Sequence, residues 1–454
     1  MLSVPSTTTK LRSALLIVFT SASLLSFAQI NSPYSRYGLG DLYPGGHIIN
    51  KSMGGLTAAY SDIQAINFMN PASYARIGEF PFVRTGQVTF DISTEIESRT
   101  LHNLDRSAKY KSSNFNFNYL AVGIPLSKKR KWGMAFGIRP ETKQNYKVES
   151  RDLYTNTQTL KDSIYTLYEG SGGSYKAFIG TGAKFGGLSV GVNFGYHFGQ
   201  SEISTRRIFI NDTVAFYKSN SANNVSFGGM FGQLGLQYDA NIGKAGFLRL
   251  GGTYDLKHNL DAKQDIIRET FSYDQTTGAP TSLDSVYKAA GANGTIKYPQ
   301  SYSVGLFFGS RDTLYKFEKW MIGIQYDAQS WNDYTSYGQK DQVANSYMLR
   351  IGGQIRPSLT GTSFFSRLTY RAGFYTGKDP VKINNVQVPV YAITFGAGIP
   401  IRNPVYYSQL STTLNVGFEI GKRGNNTTLI SENIFKLHIG FSLSDVWFNK
   451  RKYD

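Results

Sequence analysis

The sequence predicts an all-β fold, a transmembrane antiparallel β-barrel of about 14 strands with an N-terminal plug in its lumen. Three observations support this prediction: long stretches alternate apolar and polar residues, aromatic residues make up 14% of the 454 residues, and mean hydropathy is only -0.28. A period of two indicates strands with one apolar and one polar face. Lipid favours a closed barrel, because closure pairs every backbone polar group.

Composition excludes several classes of protein. Beyond residue 28, no stretch of roughly 20 apolar residues predicts a membrane-spanning helix. The absence of cysteine excludes disulfides and cysteine-based metal sites. The net charge of +17 is compatible with a nucleic acid or with an anionic membrane surface as partner. We expect the membrane and no nucleic acid, because the cations are spread along the chain and form no basic helix.

Residues 1–28 have the pattern of a secretory signal peptide. Two cations precede an apolar stretch at 13–27, and Ser26 and Ala28 place small residues at the −3 and −1 sites. We expect export through the Sec pathway, removal of the peptide after Ala28, and localisation in the outer membrane. The alternative is an uncleaved anchor helix, for which about 15 apolar residues are short.

The barrel is predicted to span residues 82–444. In the stretch 408–423, for example, Leu414, Val416 and Phe418 alternate with polar or small residues. The predicted strands are 82–98, 113–126, 132–149, 174–185, 188–210, 224–242, 246–270, 298–310, 319–331, 345–357, 362–377, 389–401, 408–423 and 429–444. An even count lets the first strand begin and the last strand end on the same side of the membrane.

The predicted connections alternate in length. Gly186-Gly187 is a two-residue turn, whereas 150–173 and 271–297 are long. Short periplasmic turns and long outer loops are typical of outer-membrane barrels. Trp132, Trp320, Trp331 and Trp447 are candidates for the aromatic girdles at the membrane surfaces. The alternative is a soluble β-sandwich, which does not need this asymmetry of loops.

Residues 29–81 form a separate segment without long alternation. Its glycines and prolines indicate irregular backbone, which cannot face lipid but can lie inside a barrel. We therefore predict a plug, or hatch, in the lumen. The alternative is a disordered periplasmic tail, which the apolar residues of this segment disfavour. A short basic tail, residues 445–454, completes the predicted division of the chain.

The stretch 52–75, SMGGLTAAYSDIQAINFMNPASYA, resembles the hatch of the FadL-like family of outer-membrane transporters for long-chain fatty acids. Asn70, Pro71 and Ala72 match the Asn-Pro-Ala signature of that family. The end of the chain, residues 432–454, is similar to FadL-like proteins that include the PorV-type subunits of a secretion system. The resemblance implies a 14-stranded barrel, an N-terminal hatch, and an inward kink in the third strand that opens a lateral exit into the membrane.

The candidate kink is Pro140, which lies midway along the third predicted strand. Proline has no N–H group and therefore removes a hydrogen bond from the sheet. We hypothesise that Pro140 creates the lateral opening that the resemblance implies. The alternative is a harmless proline near the outer rim of the barrel. Candidate ligand-binding residues of the plug are Ile63, Ile66, Phe68 and Met69, together with the Asn70-Pro71-Ala72 signature.

Polar residues of the alternating strands are expected to line the lumen. The candidates are Arg350, Arg367, Arg371, Glu419, Lys436 and His438. The cations among them can hold a carboxylate head group. The alternative, which we favour, is that they pair with acidic side chains and fill a wet interior.

We predict a channel that passes hydrophobic small molecules, such as long-chain fatty acids, by diffusion. Its expected partners are membrane lipid and lipopolysaccharide, and a hydrophobic small-molecule ligand. The alternative is a PorV-like component that binds exported cargo or the subunits of a secretion complex. A barrel enzyme is a third reading. No metal motif, G-x-S-x-G motif or P-loop supports it, so we expect no catalysis, cofactor or metal.

Overall fold

The computed structural model describes residues 32–43, 45–77, 87–105, 107–127, 131–157, 160–210, 217–274, 276–313, 317–358, 361, 363–402 and 411–446. The predicted signal peptide, Trp447 and the basic residues of the tail lie outside these ranges. The division of the chain into signal peptide, plug, barrel and tail therefore stays a prediction.

Fourteen strands form one closed antiparallel barrel, in which each strand pairs with the next and the last pairs with the first. The strands are β1 (Gln87–Asn103), β2 (Lys109–Pro125), β3 (Trp132–Thr157), β4 (Leu160–Phe185), β5 (Leu188–Phe209), β6 (Lys218–Ile242), β7 (Gly246–Asp255 and His258–Tyr273), β8 (Pro280–Tyr298 and Ser301–Arg311), β9 (Glu318–Gln329), β10 (Ser346–Ile355), β11 (Thr369–Ile383), β12 (Val386–Arg402), β13 (Ser411–Arg423) and β14 (Ile430–Val446). The predicted closed barrel of 14 strands is confirmed, and each predicted strand corresponds to one of these.

The two ends of the barrel differ in strand length. We call the end where β1 begins and β14 ends the turn end, and the opposite end the loop end. The predicted long connections 150–173 and 271–297 are wrong, because the strands of the β3–β4 and β7–β8 hairpins continue through most of these residues. Strands β3 and β4 have 26 residues each, whereas β10 has only 10. Strands β3 to β8 therefore extend much farther at the loop end than β9 and β10 do.

Side chains on the outer surface of the barrel are largely apolar, as a lipid-facing surface requires. Tyrosines of neighbouring strands form a row on this surface: the rings of Tyr302 and Tyr326 are 6.4 Å apart, and those of Tyr326 and Tyr347 are 6.3 Å apart. Such rows mark the membrane interface. Trp331 does not belong to a girdle as predicted, because it is 1% exposed and packs inside against Tyr298 and Tyr334.

Residues 32–43 and 45–77, which we call the inner segment, contact inward-facing side chains around the barrel. Backbone N–H groups of Ile66 and Thr57 donate to Asp91 of β1 and Gln325 of β9, and that of Gly54 donates to Thr394 of β12. Its regular structure comprises short helices Pro33–Arg36, Ile48–Lys51 and Pro71–Arg76 and a two-residue strand, Asp41–Leu42. Two more short helices, Trp331–Asp333 and Phe364–Arg367, and a two-residue strand, Thr335–Ser336, lie in connections. Among the described residues, no helix is both long and apolar enough to span a membrane.

Candidate functional site

The barrel wall parts between β2 and β3. These strands pair only from Pro125 opposite Gly133 to Leu120 opposite Ile138. Toward the loop end, β2 continues to pair with β1, and β3 continues to pair with β4. We call the unpaired region between β2 and β3 the seam.

Pro140 lies two residues beyond Ile138, the last residue of β3 that pairs with β2. A β-bulge interrupts the β3–β4 ladder between Pro140 and Thr142. Bulges bend the strand that carries the extra residue, and proline cannot donate to a neighbouring strand. The parting of β2 and β3 thus coincides with a bend in β3.

Part of the inner segment pairs with the edge of β3 that β2 leaves free. Asp41 and Leu42 pair with Lys143 and Thr142, and the N–H of Tyr43 donates to the carbonyl oxygen of Glu141 at 2.9 Å. We call residues 41–43 the edge cap. They supply β3 with the hydrogen bonds that a neighbouring strand supplies elsewhere.

Side chains connect the edge cap and β3 to β2 across the seam. The hydroxyl of Tyr43 donates to Asn118, and Lys143 Nζ lies 2.5 Å from Asn116 Oδ1. Gly40, just before the cap, has a φ of +108°, and a Cβ built there would lie 2.7 Å from the carbonyl oxygen of Lys143. Only glycine allows this approach without displacing the backbone.

A cavity of about 260 Å³ lies on the inner side of the edge cap. Its apolar and aromatic lining includes Leu42, Tyr43, Met69, Phe231, Leu256, Tyr298, Tyr375 and Ile434. Charged residues also line it, namely Asp41, Arg99, Arg139, Glu141, Lys176, Asp255, Asp327, Arg350, Asp379, Glu419, Arg423 and Lys436. The lining is amphiphilic, and the edge cap separates this cavity from the seam.

Ion pairs hold the edge cap. Asp41 lies 2.8 Å from Arg423 Nη1 and 3.1 Å from Arg99 Nη1. Burial alone would raise the pKa of Asp41, but the two guanidinium groups outweigh burial and lower the pKa below its ordinary value. The carboxylate of Asp41 is therefore charged at neutral pH and fixes the cap to β1 and β13.

A second charged cluster lies where the edge cap contacts β3. Glu141 accepts from Arg139 Nη1 at 2.6 Å, from Lys176 Nζ at 2.7 Å and from the Tyr298 hydroxyl at 2.9 Å. Beside it, His197 Nδ1 is 3.0 Å from Nε2 of His258. Within the described part of the chain, no group of three or more His, Asp or Glu residues is placed to hold a metal ion.

Most of the predicted lumen residues lie beside opposite charges. Arg350 pairs with Asp327 and also donates to the carbonyl oxygen of Gly54 at 2.9 Å. Lys436 Nζ is 3.2 Å from Glu419, and His438 Nδ1 is 3.0 Å from Glu95. Arg350, Glu419 and Lys436 line the cavity.

The two remaining arginines differ from this pattern. The guanidinium of Arg371 is buried and donates to two neutral amides, Asn415 at 3.1 Å and Gln354 at 3.3 Å. The sequence predicts that Arg367 lies on a strand, but this residue ends the short helix Phe364–Arg367 in the connection before β11. Because Phe364 and Phe365 of that helix are apolar, the alternation in the sequence begins before Thr369, where β11 begins.

Of the predicted plug residues, Met69 lines the cavity. Ile63 is buried, while Ile66 and Phe68 pack with Tyr74 and Tyr119. Ile66 and Phe68 therefore pack the inner segment against the wall, and none of the three borders the cavity.

The Asn70-Pro71-Ala72 signature anchors the inner segment. Asn70 Oδ1 accepts from the Ala72 N–H at 3.0 Å and caps the helix Pro71–Arg76, while its Nδ2 donates to the carbonyl oxygen of Ala58 at 2.5 Å. Asparagine at the cap and proline at the first helical position both favour a helix start. The same Nδ2 reaches carbonyl oxygens of Leu236 and Gly252 in the wall.

Sequence reasoning missed the edge cap and the Glu141 cluster. A two-residue strand has no detectable period, and its partners are about 100 positions away in the chain. The one available signal is the repeated spacing of Arg139, Glu141 and Lys143, which would place three charges on one face of a regular strand beside Pro140.

The comparisons with known proteins agree with this fold. A family model described as BamG matches residues 10–454. No curated protein matches the chain. Among solved structures, the toluene transporter TodX of P. putida superposes with a TM-score of 0.54 at 15% identity, covering 89% of this chain and 99% of that chain.

Two further structures have the same architecture. The toluene transporter TbuX of Ralstonia pickettii gives a TM-score of 0.52 at 12% identity over 89% of this chain and 99% of its own. A FadL homologue of Pseudomonas aeruginosa gives 0.52 at 11% identity over 90% of this chain and 99% of its own. These likenesses show a FadL-like barrel fold, as the hatch resemblance implied.

Proposed function

The chain belongs to the BamG family, and we propose that within the FadL-like fold it serves as an outer-membrane channel for hydrophobic small molecules. The apolar outer surface and the tyrosine row support a membrane location. The predicted signal peptide supports export through the Sec pathway. The likeness to barrels described as toluene transporters supports a hydrophobic cargo.

The observation that carries the proposal is that residues of the edge cap border both the cavity and the seam. Leu42 and Tyr43 line the cavity on one side and cover the seam on the other. Displacement of these residues would open a path from the cavity toward the lipid phase between β2 and β3. The proposed route therefore enters the cavity, passes the cap and leaves sideways beside Pro140.

The lining of the cavity indicates the class of cargo. An apolar ligand needs apolar walls, which Leu42, Met69, Phe231 and Ile434 provide. Most charges of the lining lie in ion pairs, such as Lys436 with Glu419, so they solvate one polar group without demanding a charged ligand. We propose an amphiphile with a single polar end, such as a long-chain fatty acid.

Lipid mass spectrometry of the purified, folded chain tests this proposal. We expect copurified apolar molecules that are depleted when Met69→Lys places a charge in the cavity. Met230→Lys is the matched control, because Met230 is exposed on the outer surface. Equal ligand content in both variants, or none in the native chain, contradicts the channel.

A second candidate function, a PorV-like role in binding secretion partners, is favoured by the β7–β8 hairpin at the loop end. Residues 280–288 of β8 are exposed, and Val286 is 72% exposed. On the side away from β7, the partner strand Thr335–Ser336 reaches only Ile296 and Lys297. An exposed strand edge with apolar side chains is a template for strand addition by another protein.

Comparison of Val286→Lys with native chain tests the second candidate. We expect a stoichiometric protein that copurifies with the native chain to be lost from the variant. Leu104→Lys, at an exposed apolar position of the β1–β2 turn at the same end, is the control for the added charge. A partner that stays bound to the Val286 variant excludes this edge as its binding surface.

A further inference from the structure

The part of the cavity lining that β6 to β8 contribute carries one carboxylate and no lysine or arginine. Phe231, Leu256 and Tyr298 make this part of the lining largely apolar and aromatic. The carboxylate belongs to Asp255, at the end of the first part of β7. We call these four residues the β6–β8 wall. Its composition differs from that of the opposite side of the cavity, where arginines and lysines lie beside acids.

The hydrogen bonds of Asp255 come from two neutral groups and reach the same oxygen. Oδ2 accepts from the Ser301 hydroxyl at 3.0 Å and from Gln233 Nε2 at 3.4 Å. Among the described residues, no group donates to Oδ1. His258 also lines the cavity, but its two ring nitrogens lie against His197 and a backbone carbonyl oxygen. Since Asp255 is half-buried and lines the cavity, its free oxygen is accessible to a ligand there.

Within the described part of the chain, no cation pairs with Asp255. Every lysine and arginine of the cavity lining lies within 3.2 Å of a different carboxylate. Lys176 Nζ, for example, is 5.1 Å from the ring centres of both Phe231 and Tyr298, yet its ion pair is with Glu141 at 2.7 Å. Asp255 is therefore the exception among the acids of the lining.

The surroundings of Asp255 hold its carboxylate in a fixed orientation. Ser301 and Gln233 are its register partners on β8 and β6, so the sheet itself sets the positions of both donors. Gln233 Nε2 also donates to the carbonyl oxygen of Met69 at 3.1 Å, which ties this arrangement to the inner segment. A carboxylate among apolar groups is costly unless a cation pairs with it. A cationic ligand removes this cost without any rearrangement of the site.

We propose that Asp255 binds the ammonium group of an alkylamine, whose hydrocarbon chain packs on Met69, Phe231 and Leu256. Alkylamines are protonated at neutral pH, as the lysine side chain is. The ammonium group donates to Oδ1 and pairs with the charge of the carboxylate. A carboxylate head group is repelled at this position, so amines and fatty acids place their polar ends on different sides of the cavity. The proposal rests on the proposed channel function and adds amines to its cargo.

Equilibrium dialysis of the full-length folded chain against octylamine, octanol and octanoate tests the proposal. The binding of each compound is corrected for its uptake by protein-free micelles of the same detergent. We expect the native chain to bind octylamine more tightly than octanol or octanoate. Asp255→Asn should weaken the binding of octylamine by about tenfold. Asp261→Asn is the matched control, because Asp261 lies on the same strand, is exposed and does not line the cavity.

Octanol separates the loss of the charge from damage to the cavity. Asparagine has nearly the shape of aspartate and keeps one oxygen that can accept from Ser301 and Gln233, so octanol should bind Asp255→Asn and the native chain equally. Equal octylamine affinities of these two chains overturn the role of Asp255. If Asp255→Asn does not fold, the native chain decides alone: octylamine that binds no more tightly than octanol overturns the proposal.

The same compounds distinguish failure of this site from failure of the channel. Octanol that binds and crosses proteoliposome membranes through the chain, without any preference for octylamine, contradicts only the amine site. Octylamine that binds through Asp255 while no compound crosses contradicts only the channel. Binding of none of the three compounds contradicts both proposals.

Discussion

The backbone N–H of Tyr43 donates to the carbonyl oxygen of Glu141 at 2.9 Å, while the hydroxyl of Tyr43 donates to Asn118 on the other side of the seam. One residue of the inner segment thus joins two barrel strands that do not pair with each other at this level. The closure of the wall depends on a segment that belongs to no barrel strand. Changes in this segment can therefore open the seam while the pairing of the barrel strands stays intact.

A disulfide across the edge cap should stop transfer. Leu42 and Thr142 are register partners, and such pairs in antiparallel sheets are close enough for a disulfide. The chain has no cysteine, so the double variant Leu42→Cys, Thr142→Cys forms one defined bridge. We expect uptake of a hydrophobic fluorophore into proteoliposomes to fall when the bridge forms and to recover on reduction.

A second disulfide is the control for this lock. Lys147 and Glu169 are register partners on β3 and β4, away from the edge cap. Uptake by the Lys147→Cys, Glu169→Cys variant should not depend on reduction. Equal uptake by oxidised and reduced forms of the cap variant means that cargo does not pass the cap.

Gly40→Val should release the edge cap. The new side chain meets the Lys143 carbonyl oxygen, and a positive φ costs a branched residue about 1–2 kcal/mol. We expect faster fluorophore uptake and greater hydrogen exchange at β3 residues 141–143. Gly186→Ala also takes a positive φ but meets no atom within 4 Å, so uptake should stay at the native level.

Acid should loosen the edge cap. Because the pKa of Asp41 is lowered in the folded chain, its ion pairs contribute fully above the ordinary value of 3.8 and are lost as pH falls through the lower folded pKa. The protection of the Tyr43 amide against hydrogen exchange, taken relative to the intrinsic exchange rate at each pH, should therefore fall below pH 3.8 in the native chain. In Asp41→Asn this protection should be low already at neutral pH. A flat profile in the native chain indicates that other groups hold the cap.

Pro140→Ala should narrow the seam. Alanine restores the N–H group and permits an unbent strand, which favours pairing of β2 with β3 beyond Ile138. We expect less copurified ligand and slower uptake than in the native chain. Pro389→Ala, in β12, is the control because β12 stays paired with both neighbours there. Unchanged uptake in the Pro140 variant removes this proline from the route.

Asn70→Ala should destabilise the inner segment. The change removes the helix cap and one of the two donors to the Ala58 carbonyl oxygen, the other being Gln237 Nε2, at a cost of about 1–3 kcal/mol. We expect limited proteolysis within residues 45–77 at protease levels that spare the native segment. Asn241→Ala, at an exposed position near the turn end, should match the native chain.

The barrel could be predicted from the sequence because lipid on one face and the lumen on the other impose a period of two. The sequence predicts loops for the parts of β3, β4, β7 and β8 nearest the loop end, because the period of two is absent there. Where the exposed pattern of 280–288 shows solvent on both faces, no period remains to mark a strand. In the seam, β2 and β3 form no ladder hydrogen bonds with each other. The lack of these bonds leaves no pattern in the sequence of β2.

The candidate site was only partly predictable. Pro140 was identified because proline has a fixed effect on a strand, and Met69 because the hatch resemblance drew attention to its surroundings. Asp41 and Tyr43 lack such a signal, since their roles come from partners such as Arg423 and Glu141 that only the closed barrel brings near. Arg249 and Asp239, which form an ion pair at 2.7 Å, likewise belong to different strands.

The path of the inner segment also constrains how the protein is assembled. Ser32 contacts Glu432 at the loop end of β14, whereas Arg76 reaches Glu318 at the turn end, so the segment runs the length of the barrel before β1 begins. A finished barrel would have to be threaded from end to end by this segment. The simpler order is that the wall curls around the segment and the β1–β14 ladder forms last. The inner segment then forms the core around which the barrel strands assemble.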